Sequence, residues 1–198
     1  FDYFTDSKGI PRGVAHLPGS GPTWLSGFVS LPDSAGRMRL VAAYGKIKAP
    51  LEVYESGLCI WNEAGANFER LRVVWTKTAA SPTRPPVPDG HPASWTDAQG
   101  RLWMLFGDPL PRLRCPATFE SWRDPATWEV LVPQAELVSA ADGHAVRPHS
   151  GSIAWNAFRQ RWVVVFMQAF GKPSVFGEIW YAEAESPMGP WGRAVKVL

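Results

Sequence analysis

The sequence predicts an all-β chain assembled from four-stranded antiparallel units, and three observations predict it. Trp occurs 11 times beside 18 Gly and 19 Pro, a composition that suits many short strands joined by tight turns. Apolar residues make up 45% and charged residues 19%, which excludes a disordered chain and a coiled coil. The chain also resembles itself at intervals of about sixty residues.

The repeat has two landmarks. GFVSLPDSAGRMRLVAAY from Gly27, HPASWTDAQGRLWMLFGD from His91 and GSIAWNAFRQRWVVVFMQ from Gly151 each read as a short strand A, a turn, and an apolar strand B. An Arg opens strand B each time, at Arg37, Arg101 and Arg161, spaced 64 and 60 residues apart. The second halves are GLCIWNEAGANFERLRVV, RCPATFESWRDPATWEVLVP and EIWYAEAESPMGPWGRAVKVL. In these an aromatic precedes the final strand at Phe68, Trp128 and Trp191, spaced 60 and 63. Each unit therefore holds strands A, B, C and D with a long B–C loop, the pattern of a β-propeller blade. A β-sandwich with similar hairpins is the competing architecture, and two landmarks on one period favour the propeller.

The expected organisation is one domain over residues 1–198, with about three and a half blades. Residues 1–24 supply the end of a preceding blade, and 25–80, 88–135 and 148–198 form three more. Propellers need at least four blades, and an open ring exposes unpaired edges. The chain starts at Phe1 without a leader pattern, so it reads as a piece, or as a chain whose leader has been removed. A missing segment or a second chain is expected to complete the ring.

Several function classes drop out. The net charge is +2 and the basic residues are scattered, so no stripe exists to neutralise a nucleic-acid backbone. LWMLF (102–106) and WVVVFM (162–167) are of strand length, well short of the ~20 residues of a membrane span. Cys59 and Cys115 lie 56 residues apart and match no metal spacing, which leaves a disulfide or two buried thiols. No metal site and no cofactor are expected from these patterns.

In the third unit, EIWYAEAESPMGPW (178–191) resembles the strand and S-P-x-G-P-W/F hairpin of five-bladed propeller glycoside hydrolases of the arabinanase and β-xylosidase type. WNAFRQRWVVVF (155–166) is similar to their A–B hairpins, so the resemblance covers roughly residues 149–198. It implies a five-bladed ring with a funnel-shaped central site, where an Asp base, a second Asp and a Glu acid cleave a glycosidic bond. It also admits a central cation such as calcium. The inner strands here begin LSG, DGH and HSG, with no Glu at the corresponding positions, so those roles do not transfer residue by residue. SWTDAQGRLW (94–103) resembles the Asp box of sialidases, but extra residues before Asp97 and Gly100 make a plain turn the better reading.

Alternating strand direction puts the start of A, the end of B and the start of C on one face of a blade. The long B–C loops make that face the expected site. Asp89, Asp108 and Glu178 are its candidate catalytic carboxylates, and His91, His149, Arg114 and Lys46 its candidate substrate-binding groups. Trp24 and Trp61 are candidates for stacking on a sugar ring. Structural roles compete at each position: a turn for Asp89, strand ties for the two histidines, a solvated loop for Lys46, and a loop brace for Arg114. Glu178 is expected to be half exposed.

The expected function is glycoside hydrolase-like, acting on a plant or microbial polysaccharide or oligosaccharide by carboxylate acid/base catalysis. The alternatives are a non-catalytic propeller that binds carbohydrate or protein, and a polysaccharide lyase using Tyr44, His91 or His149 with Arg114 and Lys46. A secreted or periplasmic location is expected.

Overall fold

The computed structural model describes residues 3–132, 136–172 and 174–198. The end of the second expected blade, at 133–135, lies outside them. Among the described residues the chain is all-β apart from one short α-helix and one 3₁₀ turn (Pro125–Thr127), and it forms three four-stranded antiparallel sheets whose strands run in chain order. The first contains β1 (Thr23–Pro32), β2 (Met38–Lys48), β3 (Glu52–Asn62) and β4 (Asn67–Thr76). The second contains β5 (Ala93–Thr96), β6 (Leu102–Gly107), β7 (Pro111–Pro116) and β8 (Glu129–Val130). A two-stranded ribbon follows, β9 (Leu137–Val138) with β10 (Ala145–Val146). The third sheet contains β11 (Pro148–Asn156), β12 (Arg161–Gln168), β13 (Ile179–Ala184) and β14 (Val195–Lys196).

The second strand of each sheet is heavily buried. Val41 to Tyr44 in β2 and Trp103 to Phe106 in β6 are buried without a break, as are alternate residues of β12. A strand with a neighbour on each side and packing on both faces can be apolar throughout, which is why these segments read as apolar runs.

The A–B turns explain the spacing of Arg37 and Arg101. Asp33 Oδ1 accepts the amides of Ala35 and Arg37, both at 3.0 Å, and Asp33 Oδ2 accepts Arg37 Nε at 3.2 Å. Asp97 repeats this with Gln99 and Arg101 amides at 2.9 Å and Arg101 Nε at 2.7 Å. Gly36 and Gly100 occupy the left-handed position, at φ 75° and 76°. In the third turn Asn156 accepts the Arg159 amide at 3.0 Å, Gln160 takes the left-handed position at φ 51°, and Arg161 instead pairs with Glu185. The Asp97 carboxylate adds a fourth bond, from Trp103 Nε1 at 2.9 Å.

The chain divides into two compact units, Phe1–Asp89 with Thr118–Ala126, and Gly90–Ala117 with Thr127–Leu198. The first has a core of Leu17, Ala42, Tyr44, Cys59 and Phe68, edged by Leu25 and Trp61. Helix α1 (Phe119–Arg123) belongs to it. Thr118 caps its start by accepting the Ser121 amide at 3.2 Å, and Glu120 accepts the Ser34 amide at 3.0 Å. The second unit packs Leu105, Leu137, Val146, Ile153, Trp162, Val164, Phe166 and Trp180 into its core. Residues 3–22 carry one isolated antiparallel bridge, Thr5 to Pro11. Trp155 is half exposed on β11, where its ring meets Trp162 edge-on.

Cys59 and Cys115 are free, fully buried thiols, so the disulfide alternative falls. Burial pushes each thiol up to about 12. A thiol reagent such as DTNB at pH 8 is expected to leave both unreacted in the folded chain and to label both in denaturant. Labelling of either one before unfolding contradicts their burial.

Candidate functional site

Among the sequence-predicted residues, the second unit brings His91, Asp108 and His149 together. The link is backbone. Gly90 bridges Gly107, and the His91 amide donates to Gly107 O at 2.9 Å, so the start of β5 lies against the end of β6. A Cβ on Gly90 would meet Gly107 O at 2.1 Å, which excludes a side chain there. Asp108, the next residue, reaches to β11: Oδ1 accepts the Gly151 amide at 2.8 Å and Oδ2 accepts the Ser150 hydroxyl at 3.1 Å. His149 is exposed beside this anchor, with its ring 4.3 Å from that of Phe176. Two exposed imidazoles, a carboxylate and a hydroxyl thus share the starts of β5 and β11.

Glu178 lies at the same end of the third sheet but faces the other edge. It is buried at 7% exposure rather than half exposed, and Lys196 Nζ on β14 donates to its Oε1 at 2.7 Å. Asp108 is anchored on β11, whereas Glu178 sits at the head of β13 and turns toward β14. Each carboxylate thus already holds an internal partner, the Gly151 amide and Ser150 hydroxyl for Asp108 and the Lys196 ammonium for Glu178.

Glu178 instead lines a cleft of about 710 Å³. The sequence reading missed this cleft because part of its wall comes from the turn at 139–144, which has no apolar pattern. His144 and Asp142 stand there as a hydrogen-bonded pair at 2.5 Å, which holds the Asp142 carboxyl below the usual range. The cleft also includes Gln168, whose amide donates to Glu178 O at 3.1 Å, and Trp180.

The remaining candidates have structural partners. Asp89 pairs with Arg84 at 2.9 Å in the first unit. Lys46 is not in a solvated loop: it is 2% exposed on β2, and its Nζ donates to Leu17 O, Gly21 O and Thr23 Oγ1 at 2.9–3.2 Å. Three acceptors use all three of its protons. Arg114 lies on β7, where a strand was not expected, and it grips Glu129 Oε2 through Nε and Nη2 while stacking 4.2 Å over Trp103. Trp61 is wedged between Phe4 and Phe68. Trp24 remains half exposed on β1, with a ring open to solvent.

Tyr44 cannot serve as the proton-abstracting base of a lyase. It is 1% exposed, and burial, followed by its hydrogen bond to Glu55 at 2.9 Å, raises its hydroxyl well above the ordinary value. Glu55 is the hub of this group and also accepts from Arg70 Nη2 at 2.7 Å. The same Arg70 nitrogen donates to Pro18 O, which fastens the N-terminal loop to β4. Among the described residues, no three His, Cys, Asp or Glu gather as metal ligands, and no helix is long and apolar enough to cross a membrane.

No protein-family model and no curated protein matches the chain. Among solved structures it is similar to the endo-1,5-α-L-arabinanase of Thermotoga petrophila RKU-1. The identity is 16% and the TM-score 0.42, over 86% of this chain and 40% of the arabinanase. A complex of that enzyme with Tris gives the same identity and score over 84% and 39%. The chain thus spans about 40% of the length of these solved structures.

Proposed function

We propose that the three sheets are blades of a five-bladed-type propeller of the glycoside hydrolase-like kind, and that the chain recognises carbohydrate at the starts of its inner strands. The neighbourhood of His91, Asp108 and His149 carries this reading. Exposed imidazoles that donate and accept, set beside an ionisable carboxylate on rigid strand ends, suit a hydroxyl-rich ligand. The meander order of the sheets and the SPMGPW hairpin support the scaffold part. Binding, not cleavage, is the activity of these sheets, because Asp108 and Glu178 each serve an internal partner and face different edges. A secreted or periplasmic location accompanies this reading.

The test is a glycan panel of arabinan, xylan, galactan and their oligosaccharides, with calorimetry and reducing-end release measured on the same chain. One class is expected to bind without release. His149→Ala, at an exposed position, is expected to weaken that binding about tenfold with an unchanged melting temperature, the equivalent of about 1.4 kcal/mol. Binding by no glycan overturns the carbohydrate reading. Release that disappears in Asp108→Asn overturns the non-catalytic part and restores hydrolysis.

A further inference from the structure

We propose that the site at the start of β11 takes a uronate-bearing oligosaccharide, with the loop at 169–177 as its platform and Arg147 as the group that reads the carboxylate. The inference rests on the carbohydrate reading and names the substrate class within it. The loop leaves β12 beside the start of β11, where the Ala169 amide donates to Arg147 O at 2.8 Å. Two of its rings meet that strand start. Phe176 lies 4.3 Å from the His149 ring, and the Phe170 ring lies 5.4 Å from the Arg147 guanidinium. Phe176 is 44% exposed and Phe170 68%. Phe170 also takes a left-handed backbone, at φ 60°, which a bulky side chain adopts rarely. Rings held out in solvent this way add nothing to the core, and their faces suit the C–H side of a sugar ring.

Charge selects the kind of ring. RPHS (147–150) and AFGKPSVFG (169–177) contain Arg147 and Lys172 but no Asp or Glu. Both cations are exposed, and neither pairs with a carboxylate among the described residues. The acids of the adjoining strand ends turn to internal partners, Asp108 to the Gly151 amide and Ser150 hydroxyl, and Glu178 to Lys196. A guanidinium with no internal carboxylate, stacked beside an aromatic ring, can grip a ligand carboxylate through two parallel N–H donors. A uronic acid ring supplies that carboxylate, a C–H face for Phe176, and hydroxyls that bond to the exposed His149 imidazole.

Calorimetry of the full chain provides the test, with trigalacturonate and a xylotriose carrying one glucuronate, each compared with its methyl ester. At least one acid is expected to bind about tenfold tighter than its ester, the worth of one charge-assisted hydrogen bond. Arg147→Met keeps an apolar stem beside Phe170 and removes the charge, and it is expected to bring the acid down to the affinity of its ester. Phe176→Ala is expected to weaken acid and ester alike, about fivefold, as loss of one stacking contact does. Both positions are exposed, and unchanged thermal melts confirm that the variants fold. His149→Ala is expected to weaken both forms and to keep the ratio between them. Equal binding of acid and ester, or an acid preference that survives Arg147→Met, overturns the inference and leaves the carbohydrate reading standing. Unchanged binding in Phe176→Ala does the same. A poly-glutamate peptide that binds as tightly as the acid also overturns it, because charge alone then accounts for the affinity. Binding of no glycan, acidic or neutral, overturns both readings together.

Discussion

Phe166→Ala is expected to remove about 3–5 kcal/mol of stability, the range for a large aromatic truncated in a packed core. Phe166 is 1% exposed at the centre of β12, paired with Gly151 on one side and Trp180 on the other. The site cannot readily collapse. A Cβ on Gly151 would already stand 2.6 Å from Phe166 Cα, and both neighbouring strands are fixed by their ladders. Against a typical total of about 5–15 kcal/mol the loss is severe. Urea unfolding measures it. Val165→Ala, one residue away and 45% exposed, is the control and is expected to change stability far less. Equal losses in the two variants would show that burial does not set the stability of this sheet.

The second large effect is on acid stability. Burial acts to raise the Asp97 carboxyl, but the hydrogen bonds from Trp103, Arg101 and Gln99 outweigh it and hold the group at about 2, against 3.8 for a free Asp. A carboxylate with a lowered folded value stabilises the fold fully above its unfolded value. That stabilisation disappears as the pH falls from about 4 to about 2. Asp97→Asn is therefore expected to lower the melting temperature at pH 7 and to flatten its acid limb, so that variant and parent converge near pH 2. Asp33, Glu52 and Glu183 are also held low and contribute to the parent's slope, but the difference between the two curves isolates Asp97. Parallel curves down to pH 2 would refute the assignment.

Asp97 also shows how far the sequence could be read. The D-A-Q-G-R string announces a turn, because Asp and Gly have known local uses. The bond from Trp103 does not follow from that string, because it depends on β6 folding back beside the turn. Glu178 shows the opposite case. Its place at the head of a strand was legible, but its burial was not, since Lys196 comes from β14, 18 residues later. Lys46 and Arg114 behave alike: charged residues near strand ends read as surface groups until the loop carbonyls and the Glu129 carboxylate that surround them are located. Trp61 was offered for sugar stacking on composition, and its neighbours Phe4 and Phe68 occupy it instead. Of the two stacking candidates, Trp24 on β1 is the one that stays half exposed.

By itself the sequence determined the all-β class, the four-strand units and their order, and the turns between strands A and B. Those are local properties, set by apolar runs, Gly and Pro placement and a repeated Asp turn, and they need no knowledge of what lies across a gap. Only the tertiary structure decided which polar side chains are available. An ionic or hydroxyl group is spent or free according to partners brought beside it by strand pairing, as Gly151 is brought to Asp108, Lys196 to Glu178 and Glu55 to Tyr44. Those contacts join positions 11 to 43 residues apart, and hydrogen bonding at such separations follows from register rather than from local sequence.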